Sequence, residues 1–343
     1  MACVNVADAA AVADPVAAFV VDEGLNAMTV ARLQQFTTLG AWLGAVAWAL
    51  LAWRAGHLVW ALAGASLLIG GYALVLALEF ALLRLAHGSD PTPRASVPQL
   101  LRAWWGEVRA APAVFCWRQP FFSQRWPDGL PVPAQPGPPR RGVLLIHGFV
   151  CNRGLWNPWL RRLHAQQTPV VAVNLEPVFA SIDDYLHTVE AAVLKLEQAT
   201  GLPPVVVAHS MGGLVLRRWW AEQPDEPGRP GAGRIHHAIT IGTPHQGTWL
   251  ARFALTRNAR QMQQHSRWLG TLAAREPLHR RVRLTCFYSH CDNIVFPPAT
   301  ASLPGPSNHH LPAVAHVQMV DSPEPWNELQ RHLSGDTEPN PEG

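Results

Sequence analysis

The fold turns on the stretch Pro204-Val205-Val206-Val207-Ala208-His209-Ser210-Met211-Gly212-Gly213-Leu214-Val215-Leu216-Arg217. A β-branched run ends in a small residue, a serine follows, and two glycines open an apolar pattern at helical spacing. That order spells strand, sharp turn, helix, with Ser210 at the tip. Such a turn forces the serine backbone into a strained conformation that only small neighbours tolerate. Ala208 and Gly212 meet that demand, and Gly213 lets the helix pack close. The usual pattern is Gly-x-Ser-x-Gly, so Ala208 adds one methyl at its first position.

Working outward from this turn, strands alternate with helices from Arg141 onward. Strands are expected at residues 142–146, 169–175, 235–241 and 282–288, with a last one near 311–315. Helices are expected at 156–166, 181–200 and 324–333. In the second of these, Ser181 and Asp184 hold capping-box positions, and Ile182, Tyr185, Leu186, Val189, Val193 and Leu196 share one face. Strands joined by helices of this length predict an α/β fold, a mostly parallel sheet covered on both faces.

A serine hydroxyl needs a neighbouring base, and the base needs an orienting acid. In this fold the chain order is serine, acid, histidine. Of the acids after Ser210 and before the last strand (Glu222, Asp225, Glu226, Glu276 and Asp292), only Asp292 directly follows an expected central strand. Functional residues gather at the carboxyl ends of strands in open parallel sheets, which selects Asp292 over the alternative of a turn-capping aspartate. His316 closes the run 311–315 and precedes the last helix, the place for the base. His309 and His310 stand before that run and are expected to point away; His245 and His209 read as pocket walls. The oxyanion needs two backbone N–H groups. Met211 follows the nucleophile, and Phe149, in His147-Gly148-Phe149 after the strand 142–146, supplies the second.

With these pieces together, residues 142–333 resemble the bacterial α/β-hydrolase-fold lipases and esterases. The matching segments are Val143-Leu144-Leu145-Ile146-His147-Gly148-Phe149, Ala208-His209-Ser210-Met211-Gly212-Gly213, Gly242-Thr243-Pro244-His245-Gln246-Gly247-Thr248, Asp292-Asn293-Ile294-Val295 and Ala315-His316-Val317. The resemblance implies a Ser210-Asp292-His316 triad, a carboxylic-ester substrate, an acyl-enzyme and no cofactor. Many such lipases carry a structural calcium, yet the sequence offers no carboxylate cluster for one. An acyltransferase would use the same triad, and a catalytically silent membrane scaffold would keep the fold; an intact triad argues against the scaffold. Dehalogenases and epoxide hydrolases share the fold but need aspartate where Ser210 stands. A cap or lid is expected at about 248–278, where Arg252, Arg257, Arg260, Arg267 and Arg275 face one acid, Glu276. A basic, aromatic cap suits an anionic lipid surface, and equally a solvated pair of basic helices.

The N-terminal part departs from secreted relatives. Residues 1–35 are Ala-rich, lack the basic start of a secretory signal and are expected to be weakly ordered, with a short helix at 28–35. Residues 36–53 and 58–78 carry no charge, and each meets the roughly 18–20 residues that cross a bilayer as a helix. Arg54, Ala55, Gly56 and His57 make the turn, so 36–83 reads as a transmembrane hairpin. Trp48, Trp53 and Trp60 sit where interfacial anchors sit, and Glu79 is placed to reach head groups. Buried core helices of this length would show a polar face. Arg32, Arg84, Arg94 and Arg102 against a lone Arg54 place both termini and the catalytic domain on the cytoplasmic side of a bacterial inner membrane. Residues 96–108 form an amphipathic helix with Trp104 and Trp105, suited to the membrane surface or to the catalytic domain. A Pro-rich connector fills 120–139, so 84–140 links the hairpin to the catalytic domain 141–334, and 335–343 is a disordered tail. The unit from Ala95 onward is expected to be separable.

Net charge is +3 over 343 residues, which gives no case for nucleic acid. The five cysteines are expected to be free thiols, although Cys286 and Cys291 are close enough in sequence to raise pairing. The partners implied are an ester or lipid substrate and the bilayer; oligomeric state is not legible.

Overall fold

Side-chain alternation along the first strand, β1 (Val143–Ile146), sorts the core into two halves. Leu144 and Ile146 join a cluster containing Val189, Val193 and Leu214. Val143 and Leu145 join the opposite one, with Trp156, Trp159 and Leu329. A strand buried on both faces has no polar side, so it reads as an unbroken aliphatic run. Each fully buried Val or Leu contributes about 1.5–3 kcal/mol relative to leaving it exposed. The protein is described by a computed structural model covering residues 29–130, 140–224 and 233–334.

The other strands are β2 (Val170–Ala172), β3 (Val205–His209), β4 (His237–Ile241), β5 (Leu284–Tyr288) and β6 (Ser307–His310). All pairings are parallel, in the order β2-β1-β3-β4-β5-β6. The chain leaves β1 toward β2 and returns to β3 on the other side. The topological switch therefore lies between β1 and β3, where carboxyl ends open a crevice. This is the α/β fold expected from the sequence.

The last strand is a correction. It was expected near 311–315, but Ser307–His310 forms it, and the later run is a loop. Pro312 has no N–H to give a ladder, and Ala313 adopts φ 57, outside the strand region. β6 is an edge strand and largely exposed, so polar side chains serve there and the apolar criterion passed over it.

At the N-terminus, α1 (Val30–Arg54) absorbs the short helix expected at 28–35 and begins at Thr29, whose side chain caps it. α1 and α2 (Leu58–Gly70) form a hairpin, and Trp48 Nε1 donates to Trp60 O at 2.7 Å. The expected second span is not one helix. It breaks at Gly70-Gly71, and α3 (Tyr72–Leu85) leaves at 55°. Adjacent glycines weaken helix propensity and mark kinks. Among the described residues one helix, α1, is thus long and apolar enough to cross a membrane, with the bent α2–α3 pair a broken second candidate.

α4 (Val97–Pro112) matches the expected amphipathic helix, with Ser96 and Gln99 completing a capping box. The connector expected from 120 begins instead as helix. α4 runs through a π-turn (Ala113–Arg118), next to the donor lost at Pro112, into α5 (Gln119–Phe122). Further along lie α6 (Asn157–Ala165), α7 (Leu186–Thr200), α8 (Met211–Trp220), α9 (Arg257–Gln261), α10 (Arg267–Arg275) and α11 (Pro323–Ser334). The expected capping box of Ser181 and Asp184 is present. The four cysteines among the described residues are free. Expectations for residues 1–28, 131–139 and 335–343 lie outside the described residues.

Candidate active site

β3 delivers the chain to Ser210, which adopts φ 54 and ψ −128, a conformation L-residues avoid. The fold holds it there: Ser210 N–H donates to Ile241 O at 2.8 Å, and Gly213 N–H to Ser210 O at 3.0 Å. Gly212 has no freedom to change, since a Cβ would lie 2.5 Å from His147 O and 2.8 Å from Ile146 O. Ala208 remains within the ladder, opposite Ile146 and Thr240, where extended backbone accepts its methyl. That explains why alanine serves at the first position of the turn.

Asp292 follows β5 in a tight loop and is completely buried. Its Oδ1 accepts the N–H groups of Ile294 at 2.9 Å and Val295 at 2.8 Å. Its Oδ2 lies 2.9 Å from His316 Nδ1. A carboxylate accepts, so Nδ1 carries the proton and Nε2 is the free basic nitrogen. Burial by itself would lower the His316 pKa. The charge and hydrogen bond of Asp292, with the carboxylates of Glu107 and Glu79 beyond, outweigh burial and hold it above the ordinary imidazole value. Among the described residues no hydrogen bond joins Ser210 Oγ to His316; such contacts often close only when substrate binds.

His209 is no pocket wall. Its ring lies against that of His316, and its Nε2 meets His316 O at 3.2 Å, so Nε2 is the donor. His245 is interior too, bonded to Thr240 and Arg217 beneath the sheet. His309 stacks on Phe287, and His310 lies against Tyr288 and His290.

The loop after β1 is set by His147. Its Nε2 accepts the Leu175 N–H at 3.0 Å, which leaves Nδ1 to donate to Gly148 O at 2.9 Å. Burial pushes its pKa down to about 4, with the Gly148 bond opposing, so it stays neutral in that tautomer. The next residue is Phe149. Among the described residues neither the Phe149 N–H nor the Met211 N–H has a partner in the protein, and Met211 opens α8, where the helix end favours negative charge.

The sequence profile of the Alpha/beta hydrolase family matches residues 143–334, the span that carries Ser210, Asp292 and His316. The chain belongs to that family. No curated protein matches it. Among solved structures this alpha/beta hydrolase is similar to Bacillus licheniformis lipase BlEst2 in mature form, at 16% identity and TM-score 0.49 over 60% of this chain and 96% of that one. It is similar to Aspergillus fumigatus lipase B at 21% identity and TM-score 0.45, over 58% and 54%. Phospholipase PlaB from Legionella pneumophila gives 14% identity and TM-score 0.36, over 43% and 39%. At such scores none of them fixes a substrate.

Three groups at the hydrolase site escaped the sequence reading. Glu107, buried in α4, accepts the N–H groups of Val317 at 3.0 Å and Gln318 at 3.1 Å. Asn293 Oδ1 accepts the His316 N–H at 3.2 Å. Glu79, expected at lipid head groups, instead accepts from Asn293 Nδ2 at 2.7 Å. The available signals were a lone acid in an amphipathic helix, an amide beside Asp292, and a carboxylate ending an apolar run.

The segment 248–278, expected to be a cap, carries α9 and α10, with Arg252 over the Trp249 ring at 3.9 Å. Its acid, Glu276, is buried between Arg217 and Arg281. A cleft lined by Asp183, Arg218, Arg267, Trp268 and Arg275 contains none of Ser210, Asp292 and His316. At the far end of the sheet His237, Glu328 and His332 converge closely enough to suggest a metal. Their groups already serve each other: Thr285 bridges His237 and Glu328, while His332 and Arg331 take Glu328's oxygens. Burial above all, then His332, His236, Arg283 and Arg331, lower the His237 pKa, and the two arginines make the place hostile to a dication.

Proposed function

We propose that this alpha/beta hydrolase is a membrane-attached serine esterase or lipase, with Ser210 as nucleophile, His316 as base and Asp292 as orienting acid. The observation that carries the reading is the Asp292–His316 pair at 2.9 Å beside a serine held at φ 54. His316 Nε2 takes the Ser210 proton while Oγ bonds to the ester carbonyl carbon. The carbonyl electrons move to oxygen, where the Phe149 and Met211 N–H groups receive the negative charge. His316 returns the proton to the leaving alcohol, and water repeats the sequence to free the acid and restore Ser210.

The membrane part of the reading rests on apolar exposure. Phe36, Trp42, Leu43, Leu51, Trp53 and Val59 are all exposed on α1 and α2. α1 is about 37 Å long and can cross a core of roughly 30 Å, whereas α2 at about 20 Å cannot return across it. The hairpin therefore enters the bilayer through α1 and α2, while α3 turns back to the catalytic domain. Exposed Leu101, Trp105 and Trp117 prolong the apolar surface toward the site and suit an acyl lipid substrate at the cytoplasmic face of an inner membrane.

The test is hydrolysis of p-nitrophenyl esters of increasing acyl length, with and without detergent, together with fluorophosphonate labelling. Ser210→Ala is expected to abolish both while leaving the protein folded. Retained activity in purified Ser210→Ala overturns the reading. Product analysis with added alcohol separates hydrolysis from acyl transfer.

A further inference from the structure

One of the contacts between the N-terminal helices and the rest of the protein lies beside Asp292 and His316. Phe80, Leu83, Leu100 and Ala103 pack on Cys291, Phe296 and Ala315, residues next to Asp292 and His316. Polar bonds cross the same seam, from Glu107 to the loop that carries His316 and from Glu79 to Asn293 in the loop after β5.

Glu107 is 2% exposed, and both its oxygens accept backbone N–H groups directly after His316. Among the described residues no lysine or arginine pairs with it. A buried carboxylate without a cation is costly, and an amide would be cheaper if filling space were the only task. Gly106, on the same helix, lies against the Gln318 side chain, and a Cβ there would lie 2.2 Å from Gln318 Oε1. Glu79 works from the other side. It holds Asn293, and Asn293 holds the His316 N–H. α3 and α4 are themselves tied, by Tyr72 OH to Val108 O at 2.8 Å and Trp104 Nε1 to Ala73 O at 2.9 Å.

We infer that the N-terminal helices complete the catalytic centre, with Glu107 and Glu79 as positioning residues that pin the His316 loop from two sides. The inference rests on the proposed triad. Neither carboxylate touches substrate; each acts through His316. The charged or titratable groups facing that imidazole are Asp292 after β5, His209 from β3, Glu107 from α4 and Glu79 from α3. Three of them are carboxylates, which suits an imidazolium that forms during turnover. Burial pushes the Glu107 carboxyl up to about 7, against its two N–H bonds and His316. A consequence is that the unit starting at Ala95 lacks Glu79 and leaves Asn293 without that acceptor.

The test uses the full chain in detergent, with a short-chain p-nitrophenyl ester. Glu79→Ala removes the acceptor for Asn293 and is expected to lower kcat about ten- to a hundredfold, with KM changed little. Glu79→Gln keeps an acceptor oxygen and is expected to restore kcat to near the original. Glu107→Gln keeps one of two acceptors and removes a negative charge near His316, so the rising limb of the pH profile is expected to move to lower pH. Wild-type kcat in Glu79→Ala, or equal losses in Glu79→Ala and Glu79→Gln, overturns the positioning role of Glu79. An unmoved limb in a folded Glu107→Gln overturns that of Glu107; if that variant does not fold, the Glu79 pair decides. Ser210→Ala measured alongside separates the failures. If it is inactive while these variants behave as wild type, this inference alone falls.

Discussion

The imidazoles of His209 and His316 lie 4.7 Å apart, centroid to centroid, inclined at 47°, and His209 Nε2 bonds the carbonyl of His316 itself. The residue before Ser210 thus buttresses His316. Burial first, and then the His316 charge, hold the His209 pKa well below the usual value, so it remains a neutral support.

The base assignment follows. His316→Ala is expected to lower kcat/KM by roughly ten-thousandfold or more, because removing a triad member stops the nucleophile's activation. His309→Ala and His310→Ala, on the exposed edge strand, are expected to change it little. Steady-state kinetics on the purified variants check this, and equal losses at all three positions count against His316.

Activity is expected to rise with pH, because His316 must be neutral to accept the Ser210 proton. Its pKa is raised: burial lowers it, and Asp292 with the outer carboxylates raises it more. The midpoint of the rising limb of kcat/KM should therefore lie above the unperturbed imidazole value of about 6.5. A profile with its maximum near pH ~4 contradicts a neutral imidazole as base.

Acid should also unfold the protein through Glu276. Burial raises its pKa, but the hydrogen bonds and charges of Arg217 and Arg281 lower it more, leaving it below the ordinary carboxylate value. A depressed folded pKa contributes stability that is present above the unfolded value, about 4.3, and lost as pH falls through the folded one. Glu276→Ala leaves two buried guanidiniums without their partner and is expected to cost about 3–5 kcal/mol. Thermal melts across acid pH measure both effects; an unchanged midpoint in the variant refutes the second.

The hairpin should keep the protein with membranes after high salt or carbonate, since burial of apolar surface and not charge holds it. Deleting the chain before Ala95 should release it, or leave it bound peripherally through Trp105. That fragment should hydrolyse short esters more slowly than the full chain, having lost Glu79. Full-length protein recovered soluble without detergent would make α1 and α2 something other than a membrane hairpin. Reporter fusions at Arg54–His57 fix the orientation.

By itself the sequence determined what is local or periodic. Val205–His209 followed by Ser210, Met211 and Gly212 is legible because a strained turn admits only small neighbours and a buried strand only apolar ones. The same two rules gave the sheet, its order of strands and helices, and the candidate places of Asp292, His316 and Phe149. They failed at β6, where an exposed edge lets Ser307–His310 be polar, and at Gly70-Gly71, where hydropathy stays high across a bend of 55°. What surrounds His316 came from the packing of distant segments. Glu107 meets Val317 from 210 positions away, and Glu79 meets Asn293 from 214. No spacing or periodicity encodes such pairs, because bringing them together depends on how whole helices pack against the sheet's carboxyl edge, a property of the assembled core and not of any one segment.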